Sequence, residues 1–194
     1  TELYSQHKSY YPNKNKKNTS EERAKNKYLF NTHFFNAIKE KTSENYEAAI
    51  YEFEKCIDLS KKNSAPFYEL AMIHQKKGNN ALALENIKTA IKLTPNNKWF
   101  IISYAEILTS NLDYKNAIIQ YKKLLKKEPN NEEYYYAISD IYIYNSSFQK
   151  AINTYNQLQQ KKGLDRSISI QKYKLYLQLN KKELEAAGVP EDMV

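Results

Sequence analysis

Small and large apolar side chains recur along this chain at one fixed interval. Ala49, Ala83, Ala117 and Ala151 follow one another in steps of 34 residues. Four residues after each alanine stands a large side chain: Phe53, Ile87, Tyr121 and Tyr155. Three further on comes a small or aliphatic one: Cys56, Ala90, Leu124 and Leu158. Three before each alanine is Tyr46, Asn80, Tyr114 or Phe148. One supersecondary unit recurring at this period marks a solenoid, in which each unit buries its apolar face against its neighbours. The pattern predicts helix pairs over about 22–41 with 45–60, 65–77 with 80–93, 98–110 with 114–127, and 132–144 with 148–161. A fifth first helix is predicted over about 166–180, followed by a stub at 182–187.

The residues between the apolar stretches agree with this division. Pro95 and Pro129, again 34 apart, follow second helices, where a helix must stop. Asn96-Asn97 and Asn130-Asn131 come next and suit a turn and a cap for the following helix. Asp113 and Ser147 are expected to cap the second helices of repeats three and four. Gly78 and Asn79 make the turn inside repeat two, and Gly163 ends repeat four. Helices of about 13 residues are marginal alone. Stacking is expected to stabilise them by burying Leu70, Ala71, Tyr104, Ala105 and Ile138 against the ladder residues.

Composition narrows the picture without naming a partner. The 194 residues include three glycines, too few for a turn-rich sheet protein. No apolar run approaches the roughly 18–20 residues of a membrane span. The chain opens at Thr1 rather than at methionine, so a processed start and a removed export signal stay open. Residues 1–21 have turn formers and no apolar period, and read as a basic, disordered tail. Cys56 is the only cysteine and occupies a small-residue slot, so it reads as a buried small hydrophobe. The net charge of +8 permits polyanionic partners. The abundance of Lys, Asn, Ile and Tyr together is also what an AT-rich coding sequence produces.

These positions together resemble the tetratricopeptide repeat. Repeat two carries Ala71, Gly78, Ala83, Ala90 and Pro95. Repeat three carries Tyr104, Ala105, Tyr114, Ala117, Tyr121 and Pro129. Repeat four carries Ile138, Ser139, Phe148, Ala151 and Tyr155 and lacks the proline. Repeat one carries Ala37, Tyr46, Ala49 and Phe53, with Lys61 in the proline slot. The resemblance implies an all-α fold: a right-handed α-α superhelix, or solenoid, of about four and a half helix pairs. It covers 22–187, with repeats at about 22–61, 64–97, 98–131 and 132–163 and a partial one at 166–187. Residues 188–194 form a tail or a truncation point, beyond which further repeats are expected.

In proteins that look like this, first helices line a concave groove, and fixed positions of each repeat face the ligand. Carried over, these are Phe34 and Ile38 in repeat one and Tyr68, Met72 and Gln75 in repeat two. Repeat three supplies Trp99, Ile102, Glu106 and Thr109. Repeat four supplies Glu133, Tyr136, Asp140, Ile143 and Tyr144. The set is aromatic and apolar with acids at Glu106, Glu133 and Asp140. Family members that clamp an acidic chaperone terminus place Lys, Asn and Arg where this chain has Tyr68, Ile102, Glu106 and Asp140. An aromatic groove edged by acids suits an extended or helical peptide with apolar anchors and a Lys or Arg.

The basic residues concentrate on second helices: Lys88 and Lys92, then Lys115, Lys122, Lys123, Lys126 and Lys127. They read as a solvated convex face, with nucleic acid or anionic membrane as the alternative partner. Arginine occurs only as Arg23 and Arg166, whereas polyanion readers favour its bidentate fork. His7, His33 and His74 belong to no metal-ligand motif, and no phosphate loop or nucleophile elbow is present. His74 reads as a packed or capping residue. No cofactor, metal or small-molecule substrate is expected. The expectation is a non-catalytic scaffold or adaptor for a protein or peptide. The Tyr/Lys/Asn-rich style resembles repeat proteins of bacterial cell envelopes and secretion assemblies, so an envelope or periplasmic location is favoured over the cytoplasm. Self-association through Tyr173, Tyr176 and Leu177 is a further reading.

Overall fold

A computed structural model describes residues 19–186. The expectations for 1–18 and 187–194, including most of the basic tail, lie outside the described residues. The described residues are helical, with no strand among them. In chain order the helices are α1 (Ser20–Thr42), α2 (Tyr46–Leu59), α3 (Ser64–Lys76), α4 (Asn80–Leu93), α5 (Lys98–Ser110), α6 (Tyr114–Lys127), α7 (Glu132–Tyr144), α8 (Phe148–Lys162) and α9 (Arg166–Ala186). They group into two compact units, one up to Lys61 and one from Lys62.

The first unit holds α1 and α2 packed on each other. Thr19 starts α1 by accepting the Glu22 N–H at 3.2 Å, two residues ahead of the predicted start. Ala37, Ala49, Phe53 and Cys56 are fully buried. The Cys56 thiol faces the Phe30 carbonyl at 3.6 Å, and burial, then Glu52, raises its pKa to about 11. His33 Nδ1 meets Glu52 Oε2 at 2.7 Å, which gives this histidine a structural place.

In the second unit each helix from α3 to α9 packs on the next. The ladder alanines Ala83, Ala117 and Ala151 have no exposed surface. A small side chain is required there because a neighbouring helix closes over it. Ile87, Tyr121, Leu124, Tyr155 and Leu158 fill the layers between helices. His74 is buried late in α3, and Tyr104 is half-buried.

In the second unit one device starts each first helix. Asn63, Asn97 and Asn131 precede α3, α5 and α7, and each Oδ1 accepts a backbone N–H at 3.0, 3.0 and 3.1 Å respectively. Asp165, one step on, accepts the Ile168 N–H at 3.0 Å. Such caps satisfy donors that the first helical turn leaves free. Asp113 accepts the Asn116 N–H at 3.3 Å as expected. Ser147 differs: its hydroxyl donates to the Asn145 carbonyl instead, and α8 starts without a side-chain cap.

Between the helices of a pair the chain turns through a left-handed residue, at Glu44 (φ 59°), Gly78 (φ 74°), Leu112 (φ 60°) and Ser146 (φ 49°). After Leu112 the Asp113 N–H reaches back to the Leu108 carbonyl at 2.9 Å, and the same bond runs from Asn79 to His74 at 2.8 Å. This double-bonded helix ending needs a positive φ and normally takes glycine. Only repeat two supplies it.

In the second unit a polar clasp joins the starts of α3, α5 and α7 to the ends of α4, α6 and α8. Ser64 and Thr94 share a hydroxyl hydrogen bond at 2.8 Å. Lys98 Nζ meets Glu128 Oε1 at 3.2 Å. Lys162 Nζ meets Glu132 Oε2 at 2.7 Å, with the charges reversed. Beyond α8 the predicted break before a stub does not occur, and α9 runs unbroken to Ala186. The segment around Asn180 has no glycine or proline, and its Lys, Glu and Leu residues favour helix.

Candidate functional site

The expected ligand-facing residues of the second unit lie on α3, α5 and α7, but they differ in availability. Trp99 is 63% exposed and Tyr144 is 66% exposed. The Lys98 ammonium sits 5.7 Å from the Trp99 ring centre. Glu106, Glu133 and Asp140 are exposed as well. Glu133 stands in the first turn of α7, where its carboxylate favours the helix dipole.

Glu106 and Asp140 occupy the same position of consecutive first helices. Both carboxyls have pKa values raised by desolvation, with no opposing cation among the described residues. Water reaches these groups, yet protein surrounds them closely enough to penalise their charge. Tyr121 of α6 lies close behind. Burial first, then Glu106, Tyr134 and Asp140, pushes its phenol well up. Tyr155 of α8 is raised to about 12, by burial first and then by Asp140. The two acids and the two phenols thus form one continuous environment along α5–α8.

Other expected contact residues are engaged in packing. The Tyr68 ring stacks on Phe100 at 4.9 Å, and its hydroxyl meets Ser103 Oγ at 3.4 Å. Tyr136 packs edge-on against Tyr155 at 5.9 Å. Met72 and Ile102 are half-buried, and Ile102 packs against the central core. Phe34, in the first unit, packs edge-on against Phe53 at 5.5 Å. These residues hold helices together and offer only part of their surface.

The lysine-rich second helices contain a feature that the charge pattern alone did not reveal. A cavity of about 590 Å³ opens between α4 and α6 over α5, lined by Ile91, Ile101, Tyr104 and Leu124 with lysines around it. The sequence signal for it is Ile101, where the next repeat has the bulkier Tyr135.

Among the described residues no group of three or more His, Cys, Asp or Glu is arranged to hold a metal ion. No described helix is long and apolar enough to cross a membrane. On α9, Tyr173, Tyr176 and Leu177 are exposed among the described residues.

The tetratricopeptide-repeat family profile matches residues 66–97. No curated protein matches the chain. Among solved structures, the chain is similar to YrrB, described as a tetratricopeptide-repeat protein with an unusual peptide-binding site. Identity is 19%, the TM-score is 0.61, and the match covers 75% of this chain and 74% of that one. It is also similar to a tetratricopeptide repeat protein from Parabacteroides merdae, at 16% identity and TM-score 0.68, over 82% of this chain and 64% of that one. A third similar structure is MamA from Desulfovibrio magneticus, at 15% identity and TM-score 0.62, over 82% and 96% of the two chains. With the 34-residue ladder, the paired helices and their left-handed turns, these likenesses identify the stretch 66–97 as a tetratricopeptide repeat and the fold of the chain as that of tetratricopeptide-repeat proteins.

Proposed function

We propose that the chain is a non-catalytic protein-interaction scaffold. In this reading α3, α5 and α7 hold a partner segment that carries apolar side chains and a lysine or arginine. The observation that carries it is the pair Glu106 and Asp140, whose charge is penalised by desolvation and relieved by no neighbouring cation among the described residues. A cation brought by a partner would restore the stabilisation lost from water. Trp99, two turns before Glu106, and Tyr144, one turn after Asp140, offer exposed aromatic surface beside the acids. Aromatic anchors with nearby charge are what concentrated binding energy at interfaces requires.

The test is affinity capture from native lysate with the wild-type chain beside Glu106→Gln/Asp140→Asn and Trp99→Ala/Tyr144→Ala. All four side chains are exposed, so the variants should fold. Tyr68→Ala/Tyr136→Ala is less suitable, because it also removes ring packing between helices. A protein retained by the wild type and lost from both variants supports the reading. Identical retention by all three chains overturns it. The envelope setting implied by the resemblance to bacterial envelope repeat proteins remains part of this proposal, and fractionation of native cells tests it.

A further inference from the structure

A recess forms wherever two second helices pack on the first helix between them. α4 and α6 both lie against α5, and α6 and α8 both lie against α7. The two recesses are lined by equivalent residues 34 apart, such as Lys88 and Lys122, or Ile101 and Tyr135. Their contents differ. In the α6–α7–α8 recess Tyr135 is buried, and its hydroxyl donates to the Pro129 carbonyl at 3.1 Å. The space left there is about 260 Å³. In the α4–α5–α6 recess the shorter Ile101 takes that place, and the space is about 590 Å³.

The surroundings differ too. Where the smaller recess has Gln157, the larger has Lys123. Lys88, Lys123, Lys126 and Lys127 all line the larger one, and no carboxylate among the described residues does. Lys123 donates to Gln120 Oε1 at 3.1 Å and Lys127 to Asn96 Oδ1 at 3.2 Å, both neutral acceptors. Four ammonium groups therefore surround an apolar hole whose own lining does not balance their charge.

The geometry points to a docking site for an acidic protein segment that inserts one apolar side chain into this recess and lays its carboxylates along the lysines. The site lies on different helix faces from the binding face proposed above and takes a partner of opposite charge. The apolar surface is recessed below the lysines, so it cannot insert into a bilayer; the apolar group must come from the partner. A nucleic acid backbone offers charge but nothing to fill an aliphatic hole, and no arginine lines the site. The lysines are spread over two helices, which suits several carboxylates along a chain better than a single one.

Fluorescence anisotropy of the full chain tests this. The probe is a fluorescein-labelled heptapeptide with three glutamates on each side of one phenylalanine, compared with its alanine counterpart. The expected result is binding of the phenylalanine peptide at least about tenfold tighter than the alanine one, the burial of one large apolar side chain. Ile101→Tyr should remove that difference, because the chain already accommodates a tyrosine at the equivalent position. Lys88→Glu/Lys126→Glu should abolish binding of both peptides. Equal affinity for the two peptides, or no binding at millimolar peptide, would overturn the proposal. So would phosphatidylserine vesicles or a short DNA duplex that displace the peptide and bind Ile101→Tyr unchanged. Should Ile101→Tyr fail to fold by circular dichroism, the two-peptide comparison on the wild type still decides.

Discussion

Leu112 holds a left-handed backbone (φ 60°) that glycine holds in repeat two, and its side chain is 71% exposed. Leu112→Gly should therefore stabilise the second unit. A residue with a Cβ in this conformation costs about 1–2 kcal/mol. Glycine loses more chain entropy on folding, about 0.5–1 kcal/mol. Little packing is forfeited, because the leucine faces water. The difference is a gain of about 0.5–1 kcal/mol. Gly78→Ala is the mirror experiment. A Cβ added at Gly78 meets nothing within 4 Å, so its effect isolates the backbone conformation. It should destabilise by a similar amount. The assay is urea unfolding followed by Trp99, the sole tryptophan, which lies on α5 of the same unit as both turns. The Leu112→Gly midpoint should rise and the Gly78→Ala midpoint should fall, at unchanged slope. An unchanged or lowered midpoint for Leu112→Gly would refute the assignment of strain to this turn.

Three further outcomes are expected. Ala117→Lys should cost several kcal/mol, since Ala117 has no exposed surface and the change adds overpacking of about 1–3 kcal/mol to the desolvation of a charge; an unaltered melt would contradict the close helix approach there. Cys56, buried and raised to about 11, should react with a thiol reagent at pH 8 only after denaturant is added, and prompt labelling of the native chain would show that α1 and α2 open readily. Glu106 and Asp140 have folded pKa values above the unfolded ones, so the folded chain binds more protons and stability falls as pH rises from the ordinary carboxylate range to the raised values, then levels off. Glu106→Gln/Asp140→Asn should flatten that slope relative to wild type when urea midpoints are compared between about pH 4 and pH 7; parallel curves would mean that neither group is desolvated.

The helix pairs were legible in the sequence because their signals are local and repeated. The alanine ladder, Pro95 and Pro129, and the asparagines before α5 and α7 each report on their own turn, and α5 and α6 match their predicted limits. What stayed hidden depends on conformation or on distant neighbours. Glu44, Leu112 and Ser146 carry no sign of a positive φ, and only their spacing from Gly78 could have suggested one. Ser147 has the chemistry of a cap, but its hydroxyl turns to the Asn145 carbonyl. Tyr68 occupies a position expected to face the groove, and nothing beside it in the sequence signals the ring it stacks on, Phe100, 32 residues away. The recess over α5 required comparing Ile101 with Tyr135 as volumes in three dimensions rather than as letters in a register.

The clasps also bear on how the chain avoids pairing with the wrong copy of itself. Near-identical repeats can exchange helices between molecules or slip by one unit, a characteristic failure of repeat proteins. Here the two ionic clasps have opposite polarity: Lys98 answers Glu128, whereas Glu132 answers Lys162. A one-unit slip would set Lys98 against Lys162, or Glu132 against Glu128. Each clasp is half-exposed and contributes little to native stability, so its expected effect falls on the misassembled forms, where like charges would meet. Glu132→Lys/Lys162→Glu/Asp165→Asn would make both clasps read alike, the third change removing the carboxylate that Lys162 also meets at 3.2 Å while leaving an asparagine cap as in the earlier repeats. Refolded at high concentration, that variant should yield more swapped dimer on size exclusion than the native chain, while its native fold is unchanged.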